Sequence, residues 1–155
     1  MSRKSRASQG GKMADTRTPE QRRRIMQSVR QKNTAPEVAV RKALHALGYR
    51  FRLHARSLPG RPDIVFPGRR KVILVHGCFW HGHGCSKGHL PKSRLEYWKP
   101  KIETNKVRDE RNVNELKKAG WESLVLWQCE VARLDETLDQ ITHFLGPPKQ
   151  LRRSE

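Results

Sequence analysis

Ten residues, His76-Gly77-Cys78-Phe79-Trp80-His81-Gly82-His83-Gly84-Cys85, constrain the fold of this 155-residue chain more than any other stretch. They hold three histidines, two cysteines and two adjacent aromatics, spaced by glycines that read as a polar loop. Zinc takes four nitrogen or sulfur ligands in a tetrahedron, and Cys78, His83 and Cys85 can supply three of them from one tight loop. Cys129 is the only other thiol and the natural fourth ligand. His81 or His89 could substitute for His83, and the C-x4-H-x-C spacing is less regular than paired CxxC knuckles. Three free buried cysteines would account for the thiols but not for the histidines that crowd them. An odd number of cysteines with no export signal argues against a disulfide framework and for a reduced, cytoplasmic setting.

The loop follows Val72-Ile-Leu-Val75, an apolar run that predicts a central strand covered on both faces. Asp63–Phe66 predicts its hairpin partner across the turn-rich Pro67-Gly68-Arg69-Arg70. If the turn centres on Arg69 and Arg70, paired residue numbers sum to about 139, and Asp63 faces His76 to within a residue or two. Upstream, Thr18-Pro-Glu-Gln21 and Thr34-Ala-Pro-Glu37 both have the form of a capping box with proline just inside, so each predicts a helix start. The second helix places Glu37, Val40, Leu44 and Leu47 on one stripe and stops at Gly48. Tyr49, Phe51 and Leu53 then alternate as in a half-buried strand. Downstream, Ser93-Arg-Leu-Glu96 opens a helix that reaches Ala119, kinked near Pro100, with Val113 and Leu116 inward. Trp121–Trp127 predicts a strand, and Leu134, Leu138, Ile141 and Leu145 a closing helix. The order α-α-β-β-β-α-β-α describes an α/β fold, a mixed sheet flanked by helices. One domain over residues 16–146 is expected, between a basic tail, 1–15, and a charged end, 147–155.

Lys and Arg number 33 against 15 acidic residues, a net charge of +18 that suits a polyanion. Nucleic acid is the expected partner, and Met1–Lys32 alone holds ten basic residues against two acidic ones. No apolar run approaches the roughly 20 residues that span a bilayer, so no membrane role is expected. Asp63 and His76 should emerge together at the rim of the sheet, where a metal and a phosphate could enter. Singly, each reads as a capping Asp or an exposed His. Phe79 and Trp80 are neighbours in a glycine-flanked loop, so at least one should be exposed as a wedge able to unstack bases. Trp98, amid Arg94, Lys99 and Lys101, reads equally as a second wedge or as core. Two other readings fit the charge: a zinc-stabilised DNA-binding module without catalysis, and an RNA-binding protein of ribosomal type that leaves the His and Cys cluster unexplained.

LPGRPDIV, VHGCFWHGHGC, RLEYW and LVLWQC, in this order and spacing, resemble the very-short-patch-repair (Vsr) endonucleases over about Thr16 to Leu145. The resemblance implies a restriction-endonuclease-like mixed sheet with a structural Zn²⁺ site and an enzyme, active as a monomer, that uses Mg²⁺. That enzyme nicks double-stranded DNA 5′ to the thymine of a T·G mismatch, as arises from deaminated 5-methylcytosine, and starts very short patch repair. It implies Asp63 as the Mg²⁺ carboxylate with the Val75 backbone carbonyl, Glu37 on metal-bound water, His81 as activator of the attacking water and His76 as the group that steadies the phosphate. Cys78, His83, Cys85 and Cys129 fall on the zinc ligands. Phe79, Trp80 and Trp98 fall on aromatics that enter from the major groove, Met26 on the amino-terminal helix that approaches from the minor groove, and Lys101 and Asn105 where bases are read. Mismatch-repair proteins are further implied partners. The chain departs from the family in carrying Val75 where threonine can occur and in its extended basic leader. A nuclease of the same fold with another sequence preference is the nearest alternative.

Overall fold

The computed structural model describes residues 18–21 and 33–149. The chain divides into two units, 1–31 and 32–155. In the first, the Thr18 amide donates to Gln21 Oε1 at 2.9 Å and the Gln21 amide to Thr18 Oγ1 at 3.2 Å. That is the reciprocal capping box expected there. Met26 lies outside the described residues.

The second unit runs α1 (Ala35–Ala46), β1 (Arg52–Leu53), β2 (Ile64–Phe66), β3 (Lys71–His76), α2 (Leu95–Lys118), β4 (Glu122–Trp127), α3 (Gln128–Val131) and α4 (Leu134–Leu145). The strands form one sheet in the order β1-β2-β3-β4, antiparallel up to β3 and parallel between β3 and β4. It is a mixed sheet, as the element order required, and α2 supplies the long crossover that a parallel pair needs. β3 is central, and Val72, Ile73 and Leu74 are buried on it. One face carries Ile73 and Leu126 against Val40 and Leu44 of α1 and Ile141 and Leu145 of α4. The other carries Val65 and Val72 against Leu116 of α2. Alternate side chains of β2 and β3 thus feed two apolar layers, with helices on both sides.

The hairpin turn is centred on Gly68 and Arg69, one residue earlier than expected. A 3-10 turn over Pro67–Arg69 ends in Arg70 at φ +52°, and Phe66 pairs with Lys71. Ile64 therefore faces Ile73, and extending the register by one sets Asp63 opposite Leu74, two residues from His76 and at the edge of the expected range. α1 ends at Ala46, and the left-handed Gly48 (φ +93°) turns the chain there, leaving Leu47 45% exposed, off the expected stripe. The alternating segment after it pairs only at Arg52 and Leu53, because Tyr49 and Phe51 instead pack edge-to-face on Phe66. Neither Thr34 nor Ser93 caps its helix through a side chain: Glu37 is engaged elsewhere, and Arg94, at φ +58°, takes the N-cap position just before α2. α2 continues through Pro100 as one helix. No helix among the described residues is long and apolar enough to cross a membrane.

Candidate functional site

β3 delivers Cys78 through Gly77 into a tightly wound loop. The His83 amide donates to the Cys78 carbonyl at 2.9 Å and the His81 amide to the Gly77 carbonyl at 3.2 Å. Gly88 closes the loop so closely that a Cβ there would lie 1.8 Å from the His83 carbonyl oxygen. Cys129 arrives from the other side, in the first turn of α3, where Glu130 accepts the Trp127 amide at 3.0 Å. The Cys129 amide donates to Cys78 Sγ at 3.4 Å, and Cys129 Sγ lies 3.5 Å from His83 Nδ1. Donor atoms of Cys78, His83, Cys85 and Cys129 all lie within 4.8 Å of one another. A tetrahedral zinc ion with ordinary bond lengths sets sulfur and nitrogen ligands about 3.5 Å apart, so this set of three thiols and an imidazole fits one. Of His81, His83 and His89, His83 is the one grouped with the thiols; its ring also stacks on Trp127 at 4.3 Å. Burial pushes the Cys78 thiol up to about 11. At Cys85 burial acts the same way but is outweighed by hydrogen bonds from His83, Cys78 and the Lys87 and Gly88 amides, which bring it down to about 6. One thiol thus holds a proton for a neighbouring thiolate, a charge that a cation can take over.

Between zinc-type ligands, the same loop presents His81. Its ring stacks on His76, with centroids 3.9 Å apart and planes 6° from parallel, and its Nδ1 pairs with Asp109 Oδ2 of α2. Asp109 was not singled out in the sequence, although a signal existed: it falls on the inward row Ile102, Asp109, Val113, Leu116, where an acid is out of place. Burial, together with the neighbouring His81, lowers His76 to about 4, against the pull of Asp109. His76 is therefore neutral at physiological pH. Lys106, Asn114 and Trp127 join these groups around an open cleft of about 440 Å³.

A second cluster joins Glu37, His54 and Asp63, again with donor atoms within 4.8 Å of one another. Glu37 is 1% exposed. Its Oε1 lies 3.0 Å from His54 Nε2 and 3.4 Å from Arg41 Nη1. The His54 contact is close in distance but lacks hydrogen-bond alignment, so this buried nitrogen has no hydrogen-bond partner among the described residues. Asp63 Oδ2 accepts the Val75 amide at 2.7 Å. Burial raises Asp63 from 3.8 to about 6 despite that amide; Glu37 raises it further and His81 draws it down. Two carboxylates with an orphaned imidazole nitrogen are a donor set that a divalent cation would complete. The structure thus brings Asp63 together with Glu37 and places His76 with His81 and Asp109. Val75 and His76, consecutive on β3, join the two groups. His54 carries no periodicity or motif that would have marked it.

Beside this end of the sheet, Phe79, Trp80 and Trp98 pack edge-to-face, with centroids 5.1, 5.2 and 5.9 Å apart. All three are half-buried, outside both cores, and the exposed Tyr97 extends the patch. Asn105 donates its amide to the Trp80 carbonyl at 2.9 Å, so it holds the aromatic loop; Lys101 sits one turn earlier on α2, half-buried.

Residues 14–87 match the family model for DNA mismatch endonuclease Vsr. The type II nicking enzyme V.XorIIP of Xanthomonas oryzae pv. oryzae is 58% identical over 135 residues, covering 87% of this chain and 99% of that protein. V.NmeAIP of Neisseria meningitidis serogroup A is 44% identical over 119 residues, 77% of this chain and 85% of its own. DNA mismatch endonuclease Vsr of Escherichia coli K12 is 38% identical over 128 residues, 83% of this chain and 82% of its own. At such identity over nearly the full length of both partners, this chain belongs to the Vsr DNA mismatch endonuclease family, whose members are DNA-cleaving hydrolases.

Proposed function

We propose that this chain is a Mg²⁺-dependent endonuclease that nicks duplex DNA 5′ to the thymine of a T·G mismatch, with Zn²⁺ as a structural clamp in the thiol cluster. The catalytic domain is taken to span residues 16–146, in a cytoplasmic monomer. One observation carries the reading: the His81–Asp109 pair, stacked on His76, adjoins the Glu37–Asp63 carboxylates at a rim flanked by half-buried aromatics.

Each side chain has a task that its surroundings suit. Asp109 holds Nδ1 of His81, which fixes the tautomer and leaves the other ring nitrogen to take a proton from the attacking water. His76, kept neutral, can donate a hydrogen bond to a phosphate oxygen without setting a second positive charge on the stacked ring. Glu37 and Asp63 would hold the divalent ion, which when bound offsets the charge developing on the scissile phosphate. Asp63 is ionised at neutral pH and protonated in mild acid, so the carboxylate pair should be competent above about pH 6. Phe79, Trp80 and Trp98 form a wedge of rings packed edge-to-face, and a mispaired step, being poorly stacked, costs less to pry open than a matched one. The +18 charge supplies the phosphate attraction that brings DNA to this rim.

The test is an end-labelled duplex with a single T·G mismatch beside its T·A control, each incubated with Mg²⁺ and with chelator, then resolved on a denaturing gel. Cleavage of the thymine strand immediately 5′ to the mismatch, only with Mg²⁺, is the expected result. Equal cutting of both duplexes, or cutting in chelator, would overturn the reading.

A further inference from the structure

We propose that His54 is a third protein donor to the divalent ion held by Glu37 and Asp63, and that it gives this site a preference for Mn²⁺ over Mg²⁺. The inference rests on the reading of those two carboxylates as the cation site.

Three observations point to His54. Its Nε2 is buried and lacks a hydrogen-bond partner among the described residues, although it lies 3.0 Å from Glu37 Oε1. A histidine placed there only to pair with Glu37 would align for the bond. Two unbonded donors at this spacing match neighbouring ligands of an octahedral ion, which at bond lengths of ~2.1 Å stand about 3 Å apart. The backbone, moreover, is committed to this placement. His54 adopts φ +49°, a left-handed conformation uncommon outside glycine, directly after β1, while its amide donates to the Asp63 carbonyl at 3.2 Å. The imidazole is thereby tied to the same residue whose carboxylate completes the cluster.

The choice of cation follows from the donor set. Mg²⁺ favours an all-oxygen shell and sheds water reluctantly, whereas Mn²⁺ accepts imidazole nitrogen more readily. A site of two carboxylates and one imidazole should hold both ions and bind Mn²⁺ the more tightly. Arg41, 3.4 Å from Glu37, keeps that carboxylate in place without entering the cation's shell, since a guanidinium has no lone pair to offer.

The experiment is a Mn²⁺ titration of the zinc-loaded full chain, followed by electron paramagnetic resonance, with pulsed measurement of nitrogen coupling to the bound ion and displacement by Mg²⁺. His54→Asn is the first variant, because asparagine tolerates left-handed backbone, and His54→Gln the second; circular dichroism and zinc content verify folding. The native chain should bind one Mn²⁺ at this site with imidazole coupling. Both variants should lose that coupling, bind Mn²⁺ at least about tenfold more weakly, and release it at lower Mg²⁺. Unchanged Mn²⁺ affinity and coupling in a folded His54 variant would overturn the assignment of His54. Undiminished Mn²⁺ binding in Asp63→Asn would overturn the carboxylate site itself, whatever His54 does.

Discussion

Replacing Asp63 with asparagine should abolish cleavage and yet make the protein more stable. Burial is the main reason that Asp63 titrates near 6 instead of 3.8, and the adjacent Glu37 adds to it. The folded-state value is raised, so the sign runs against the fold as pH increases. Below 3.8 the carboxyl is protonated in both states and costs nothing; between 3.8 and 6 the unfolded chain releases a proton that the folded one retains; above 6 the penalty is complete. At ~1.4 kcal/mol per tenfold change in acidity, the full penalty is about 3 kcal/mol, and roughly half of it is already present at pH 5. Asparagine keeps an oxygen to accept the Val75 amide and removes the charge beside Glu37. Allowing for imperfect repacking, a gain of about 1–3 kcal/mol is expected, some 2–4 °C in Tm per kcal/mol for a chain of this size. The assay is thermal unfolding of zinc-replete, magnesium-free protein at pH 7.5 and at pH 5. The variant should melt higher at pH 7.5, by a margin that narrows at pH 5, and added Mg²⁺ should raise only the native protein. A variant no more stable than the native chain at pH 7.5, or a margin independent of pH, would refute the reasoning.

Two more substitutions probe the neighbouring groups. Asp109→Asn should leave folding intact while lowering kcat by roughly 10²–10⁴, the range associated with losing an oriented proton acceptor, with little change in KM; single-turnover nicking within threefold of the native rate would remove Asp109 from that role. Cys129→Ser should release zinc and lower the unfolding midpoint, since a structural metal contributes to folding directly. Metal analysis that finds the zinc retained would take Cys129 out of the ligand set.

What could be read from the sequence was what local pattern encodes. The apolar run Val72–Val75 announced the central strand, Pro67-Gly68 the hairpin, and the Leu134–Leu145 spacing the last helix, because burial on a sheet or helix imposes a period on the chain. The thiol cluster was legible because cysteine and histidine are few and their chemistry narrow. His54 and Asp109 were not, since their meaning arises only from tertiary approach: one comes from a left-handed loop residue, the other from an inward helix row, and each meets its partner across 17 or 28 residues of sequence. The two-residue offset at Asp63, inside the residue or two allowed, had the same origin: the turn is centred on Gly68 and Arg69, one residue earlier than a turn centred on Arg69 and Arg70.

The two metal-type clusters are not independent. His81 lies between Cys78 and His83, and the His81 and His83 amides both close onto the stretch that begins at Gly77. The position of His81 over His76 is therefore set by the loop that Cys78, His83 and Cys85 gather, while Cys129 ties that loop to the end of β4. On the other side, the amide of Val75 fixes Asp63, one residue before His76 on the same strand. From Val75 and His76 at the end of β3 to Cys78 in the loop, four residues thus link the amide that holds the Asp63 carboxylate to an imidazole and a thiol, so a change at the thiol end has little slack through which to dissipate before it reaches the ring proposed to accept the proton. Loss of zinc should accordingly depress turnover more steeply than it depresses DNA affinity, because affinity draws on charge spread over the whole surface, whereas turnover depends on where one imidazole stands.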